Sequence, residues 1–336
     1  MMAKIDNIIE IGEGWACALQ IEDGAPAIHC FYKDKLIKEL PISLLVECIP
    51  FNHQKAKEPK TDFGDSFSFE KISEPKSLPK VALQINGVLR KTTQPSNSYI
   101  VSSETDAPSL VVAVGGNSRH VYADSEVSTM VATAEAAQNL ACTGTTPIAF
   151  FKLPASSDSF AQPTLGLVGL LPKEMPHIGL AFQRKGEMIY LLGRSVEDVG
   201  SSEYLFSFHN IHPSPAPAMN PQGQSRLQSI LAEAILKKQL TSIHSITKGG
   251  MFMSLIESSR PNQLGFDITT DAEIREDAFL FGESLGRFIV STSEHNDAAF
   301  VDLMTQNKIP ITTLGHTTKG EIRVDDLSYG FIQDFL

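Results

Sequence analysis

The stretch from Gly116 to Pro147 constrains the fold of this chain more than any other. It runs from a polar loop with metal-ligand residue types, through an Ala-rich segment, to a glycine and then an apolar run. Val127, Met130, Val131, Ala134, Gln138 and Ala141 fall on one stripe at helical spacing, which predicts an amphipathic helix packed on a core. Asp124 or Ser125 can cap its start, with Glu126 and Ser128 in the first turn. Gly144 ends it, and Pro147 opens a buried strand, Ile148-Ala-Phe-Phe. Glu135 and Asn139 lie four apart on a flank away from that stripe, where a solvated face is the plain reading.

The rest of the chain organises around this unit. Residues 7–49 read as short alternating strands separated by Gly and Asp turns, closing in a short helix from Pro41. Residues 50–79, rich in Pro, Lys, Asp and Ser, read as a linker. Val81–Leu89 carries Asn86-Gly87 between apolar runs, which predicts a hairpin. Leu110–Val114 is a buried strand. Strands are expected at 164–171, 178–182, 188–193 and 266–270, and helices at 201–208, 225–238, 250–258 and 297–306, with a loop over 242–249. No internal repeat is present. The expected domains are a β-hairpin extension (1–49), a linker (50–79), a first α/β unit (80–155) and a second (156–336).

Composition excludes several classes of partner. The 336 residues, 42% of them hydrophobic and 20% charged, are those of a globular protein with one large core or two medium ones. A net charge of −11 argues against nucleic acid and anionic membrane, which need clustered cations. A phosphorylated small ligand stays allowed, because backbone N–H groups can bind it locally. Cys17, Cys30, Cys48 and Cys142 are too scattered for a metal motif or a disulfide framework. The first residues lack an apolar signal core and no run of 18 apolar residues occurs, so a cytoplasmic protein is expected.

The Gly116–Pro147 stretch resembles the helix that opens the second half of the phosphoribosylformylglycinamidine synthases, the amidoligases of purine biosynthesis. Those read Asp-Gly-Asn-x-Arg, Ala-Val-Ala-Glu-Ala-Ala-Arg-Asn-Leu and Gly-Ala-x-Pro; Gly116, Asn117, Arg119, Ala134 to Ala137, Asn139, Leu140, Gly144 and Pro147 match. Leu191-Leu-Gly followed by Gly200-Ser-Ser-Glu-Tyr-Leu205, Ser242 to Met251, and Leu280 to Ser291 resemble three further blocks of that family. The resemblance extends over nearly the whole chain and includes no glutaminase domain.

The resemblance implies an α/β (α+β), AIR-synthase-like two-domain unit. Its first domain would be sheet-rich and dimerise or pseudo-dimerise, and its second would be an α/β sandwich. It implies ATP and Mg²⁺ as cofactors and a phosphorylated ribonucleotide as substrate. Asn117, Arg119, Asn139, Thr247, Gly249, Gly250, Glu283 and Arg287 then become candidates for nucleotide or substrate binding, His244 for catalysis, and Asp124 and Glu135 for metal. Each has a plainer reading. His244 alone would be a hydrogen-bonded core histidine, Gly249-Gly250 a tight packing turn, and Glu283 with Arg287 a structural ion pair at i, i+4.

Three departures narrow the expectation. Gly115 stands where the family has Asp, Ser245 stands for the Asp after the family His, and Lys248 replaces an acid before the double glycine. Only Lys152 to Gln162 joins two strands that the family separates by a long helical excursion. The chain also lacks the family's first half, with its main ATP site.

The leading expectation is therefore a separately encoded second half of the synthase, paired with a first-half subunit and a glutaminase subunit and inactive alone. The alternatives are a catalytically inactive scaffold subunit and a stand-alone homodimeric enzyme of the same superfold. If a ligand site survives, the Thr247–Gly250 turn is the expected anion site, and the apolar strands at 81–89 and 110–114 the expected assembly surface.

Overall fold

The alternating runs at the start of the chain fold as an antiparallel meander of β1 (Ile8–Gly12), β2 (Trp15–Gln20), β3 (Ala27–Tyr32) and β4 (Lys35–Pro41). The computed structural model describes residues 8–20, 27–41, 67–90, 98–102, 107–116, 125–153, 164–211 and 214–336. The short helix expected after Pro41 and most of the expected linker lie outside the described residues.

Residues 81–89, expected as a hairpin, are helical: α1 spans Leu78–Leu89, with a proline in its first turn. Val81, Ala82, Ile85 and Leu89 recur at helical spacing and are fully buried or nearly so. The Asn86-Gly87 signal is overridden by tertiary contact. Asn86 donates to the Phe335 carbonyl at 3.4 Å and accepts from Arg260, while Gly87 sits exposed with open space around it.

The first α/β unit follows as β5 (Ser98–Val101), β6 (Ser109–Gly115), α2 (Ser125–Ala141), β7 (Ala149–Leu153) and β8 (Thr164–Leu171), with strand order β5-β6-β8-β7, all antiparallel. One face of this sheet packs on the β1–β4 meander through Trp15, Cys17, Ile28, Cys30, Leu110, Val112, Val114 and Phe151. The other face packs on α2 through Val111, Ala113, Ala132, Ala136, Leu140, Leu165 and Leu167. Leu110–Val114 is thus an interior strand covered on both faces. It offers no open edge for assembly, contrary to the sequence expectation.

The second unit is a seven-stranded sheet between two helical layers. In chain order it contains β9 (Met188–Leu192), a short π-helix (Tyr204–Phe208), α3 (Pro221–Leu236), β10 (Ser242–Ser245), α4 (Gly250–Ser259), β11 (Gly265–Ile268), α5 (Glu276–Phe281), β12 (Phe288–Thr292), α6 (Asp297–Gln306), β13 (Ile311–Thr318), β14 (Glu321–Val324) and β15 (Leu327–Phe331). The strand order is β10-β12-β9-β13-β11-β14-β15, and β11 and β14 are the parallel pair. One face packs on α3 and α6 through Leu192, Leu231, Phe288 and Phe300. The other packs on α4, α5 and the π-helix, and α1 inserts here as well, so the segment before β5 belongs to the second core.

Two further expectations change. Residues 178–182 form no strand: Gly179 accepts from Ile243 and Phe182 donates to the Ser258 carbonyl, so these groups bond to the surroundings of α4 and β10. Residues 242–245, expected in a loop, are the sheet-edge strand β10. The sheet-rich first unit and sandwich-like second unit are those expected for the fold class.

Candidate functional site

The residues singled out by sequence converge where α2 of the first unit meets β10 and the start of α4. The convergence starts from a close approach. A Cβ on Gly115 would lie 2.1 Å from the Ala132 carbonyl oxygen and 2.6 Å from the Ala136 nitrogen, so only glycine lets the end of β6 touch α2. That contact delivers the Gly116 N–H to the Glu135 carboxylate at 2.9 Å.

One turn on, Asn139 is buried, with 5% of its surface exposed, which settles the flank against solvent. Its amide nitrogen donates to the Val114 carbonyl at 3.0 Å, and its oxygen accepts from the Ser245 hydroxyl at 2.7 Å. The buried face of α2 is rotated from the expected stripe. Met130 is 51% exposed, while Ala136 and Leu140 are fully buried. The reason is that α2 packs on its own sheet and, at its C-terminal end, against α3 and β10.

At the β10–α4 turn, Gly249 and Gly250 both take left-handed backbone conformations, with φ of 78° and 70°. A Cβ on Gly250 would lie 2.6 Å from the Phe281 backbone, so α4 is pressed against α5. The Gly249 N–H donates to Glu283 at 2.7 Å, and the same carboxylate oxygen accepts from the Glu203 N–H at 2.7 Å. The helix terminus that would attract an anion is therefore already served by a carboxylate. Arg287 lies beyond, 1% exposed, donating to the carbonyls of Gly282 at 2.6 Å and Ser284 at 3.2 Å. Burial pushes its guanidinium down to about 10, against the favourable fields of Asp198 and Glu283.

Glu135 responds to the same surroundings. Burial pushes its carboxyl up to about 7; the Gly116 N–H opposes this, Glu283 adds to it, and Lys248 opposes it. The carboxylates from the two units and the lysine of the turn thus share one electrostatic environment.

His244 stands apart from that cluster. Its Nδ1 lies 3.0 Å from the Ser254 carbonyl oxygen and 3.1 Å from the Ser258 hydroxyl, and its Nε2 lies 3.4 Å from Glu257. Because a carbonyl can only accept, Nδ1 carries the proton and Nε2 presents its lone pair to Glu257. Burial pushes the imidazole down to about 4 and the Glu257 carboxyl up to about 7. The ring is fixed between β10 and α4.

Asn117, Arg119 and Asp124 lie outside the described residues, as does the side chain of Glu126. Thr247 is half-buried in the turn, and its carbonyl accepts the Gly250 N–H at 3.0 Å. Sequence reasoning assigned no role to Glu203 or Asp198. Glu203 orients Glu283, and Asp198 accepts from the Gly200 and Ala218 N–H groups at 2.8 and 2.6 Å. The signal was present, since Glu203 lies within the Gly200–Leu205 block and Asp198 just before it. A cavity of about 590 Å³ lined by Arg184, Lys185, Glu187 and Thr241 opens at the other end of β10, away from this junction.

Mg²⁺ demands near-octahedral oxygen ligation, and the described side chains do not fit it. Among the described residues no three His, Cys, Asp or Glu side chains cluster at metal-binding spacing. The Asn139 oxygen is taken by Ser245 and one Glu283 oxygen by two N–H groups.

Comparison with known proteins agrees with this architecture. Residues 184–326 match the family described as AIR synthase related protein, C-terminal domain. The relatives that the chain matches are phosphoribosylformylglycinamidine synthase subunits named PurL. The chain is 24% identical to the phosphoribosylformylglycinamidine synthase subunit PurL of Moorella thermoacetica, over 84% of this chain and 47% of that protein. To the PurL of Carboxydothermus hydrogenoformans it is 25% identical, over 95% of this chain and 53% of that protein. The chain thus spans about half the length of the relatives it matches. Its fold is that of Thermotoga maritima PurL complexed with FGAR, with a TM-score of 0.65, 11% identity, and coverage of 78% of this chain and 54% of that one. T. maritima PurLQS gives 0.59 at 13% identity, covering 75% and 49%. T. maritima PurL has also been solved complexed with ATP, with a TM-score of 0.53 at 11% identity, covering 67% and 44%. Among the described residues no helix is long and apolar enough to cross a membrane.

Proposed function

We propose that this chain supplies the second AIR-synthase-like half of a phosphoribosylformylglycinamidine synthase, acting with a first-half unit and a glutaminase. In that reaction ATP activates the formamide oxygen of formylglycinamide ribonucleotide, and ammonia from glutamine displaces the phosphate. The observation that supports this reading best is the junction itself. Residues from three separate family-like blocks, at 116–147, 242–251 and 280–291, meet there through Glu135, Asn139, Ser245, Gly249 and Glu283.

In this reading the junction is a rigid wall of the composite active site. Glu283 holds the β10–α4 turn from beneath, Asn139 holds α2 against β10, and the turn backbone faces the substrate. ATP, the ribonucleotide and the partner subunits belong to the assembled enzyme rather than to this half alone.

The test is reconstitution. The chain, a PurL first half and a glutaminase subunit should together form the amidine in an ATP- and glutamine-dependent way, and the chain by itself should not. Turnover by the chain alone would overturn the reading in favour of a stand-alone homodimer.

A scaffold role is the second reading, favoured by Ser245 and Lys248, which remove acidic groups from the junction. It predicts that the assembled complex forms and is equally active when Asn139 and Glu135 are substituted.

A further inference from the structure

We infer that the cavity beside the start of β10 is a binding site for a small zwitterion, a molecule with a primary ammonium at one end and a carboxylate at the other. Its volume of about 590 Å³ lies in the usual range for small-molecule sites. The charged groups that line it are Arg184, Lys185, Glu187 and Glu294, two cations and two carboxylates, which suits a ligand bearing both signs. Glu187 is the deciding group. Only 4% of its surface is exposed, and its Oε2 accepts from the Gln183 N–H at 3.1 Å and the Ser291 hydroxyl at 3.4 Å. Its Oε1 has no partner among the described residues, although the side chain borders the cavity. A buried carboxylate left half-bonded is costly, and a donor on a ligand meets that need.

The hydroxyls around Glu187 select the donor. Ser291 has one proton, which goes to Glu187, so its oxygen accepts from Thr241 at 2.7 Å and from Ser242 at 2.6 Å. With its own proton spent, the Thr241 hydroxyl offers only lone pairs to the cavity it lines. The floor therefore presents acceptors, and an ammonium with three N–H donors matches them. Thr317 pins the turn above: its N–H donates to the Glu187 carbonyl at 3.0 Å, and its hydroxyl accepts from the Glu187 N–H at 3.0 Å and donates to the Arg184 carbonyl at 2.6 Å. Arg184 and Lys185 are exposed on this turn and form no ion pair among the described residues, so they are available to a carboxylate. This inference rests on the cavity residues and not on the synthase reading; a chain inactive in reconstitution could still obey it.

The experiment titrates glycine, β-alanine and γ-aminobutyrate into the whole chain by isothermal calorimetry, with propylammonium and propionate as controls that carry one charge each. At least one of the three zwitterions should bind with a Kd roughly ten-fold below that of either control. Glu187→Gln should weaken that binding by about ten-fold or more. The double variant Arg184→Ser with Lys185→Ser should reduce the affinity to that of propylammonium. Should Glu187→Gln fail to fold, the double variant decides alone, since it changes only exposed side chains. Equal affinity for the zwitterions and either control overturns the inference. So does the absence of binding heat at millimolar probe, and so does a zwitterion affinity that the double variant leaves unchanged.

Discussion

The Ser245 hydroxyl donates to the Asn139 side-chain oxygen at 2.7 Å, and this contact fastens a helix of the first unit to the edge strand of the second. Both partners are buried. Ser245→Ala leaves a buried acceptor unmet and should cost about 1–3 kcal/mol in urea unfolding. Asn139→Ala should cost at least as much, because the Val114 carbonyl also loses its donor. The double variant should fall short of the sum of the two. Strict additivity would mean that the contact is not made in solution.

Gly115→Ala probes the close approach of β6 to α2. The added methyl has backbone on two sides, which cannot move as a side-chain end can. Destabilisation of more than about 2 kcal/mol is expected, read as a drop in melting temperature of several degrees. A neutral result would show that the helix stands further off.

Gly87→Ala should act in the opposite direction. Gly87 lies exposed within α1, without a positive φ and with nothing within 4 Å of an added Cβ. Alanine should stabilise by about 0.5–1 kcal/mol. An Asn-Gly hairpin turn would instead be damaged by the same change, so the sign of the effect separates the two structures.

The buried His244–Glu257 pair makes stability depend on pH in two opposing ways. The Glu257 carboxyl at about 7 lies above its ordinary value, so its contribution is present in acid and is lost as pH rises through 7. The His244 imidazole at about 4 lies below its ordinary value, so its contribution is lost as pH falls from 6.5 towards 4. Between about 4.5 and 6.5 the two slopes oppose each other, and above that only the glutamate acts. Glu257→Gln should therefore gain on the wild type between pH 5 and 8, by on the order of 1–3 kcal/mol. Parallel wild-type and variant stability curves over that range would refute the burial of the Glu257 carboxyl.

Glu283→Gln tests whether the carboxylate holds the β10–α4 turn by charge. The amide oxygen can still accept from Gly249 and Glu203, but the buried Arg287 loses one of its two negative neighbours. A loss of about 2–4 kcal/mol is expected, by comparison with breaking other buried charge pairs. Chemical denaturation of the two proteins measures it.

Much of this architecture was legible from local pattern. The Ile8–Pro41 strands alternate cleanly between turns, and α6 begins and ends where its apolar spacing says. The failures share one physical cause, tertiary contact outweighing a local signal. Asn86-Gly87 carries a turn signature, yet the four apolar residues around it match the second core at helical spacing. Ile178–Phe182 is apolar enough for a strand, but its backbone groups find partners at Ser258 and Ile243. The junction was legible as residue types and not as roles. Glu135, Asn139, Ser245 and Glu283 could be named from sequence, while their mutual anchoring depends on Gly115 letting two backbones touch. No periodicity encodes that approach.

The insertion of α1 into the second core has a practical consequence for handling the protein. The chain leaves the β1–β4 meander, buries Val81, Ile85 and Leu89 beneath the seven-stranded sheet, and then returns to build the β5–β8 sheet. No single cut can divide the molecule into two independently folding pieces. A fragment starting after Leu89 would strip the larger core of a helix, and one ending before β9 would carry that helix with its apolar face uncovered. Limited proteolysis between α1 and β5 should accordingly yield fragments that stay associated until denatured.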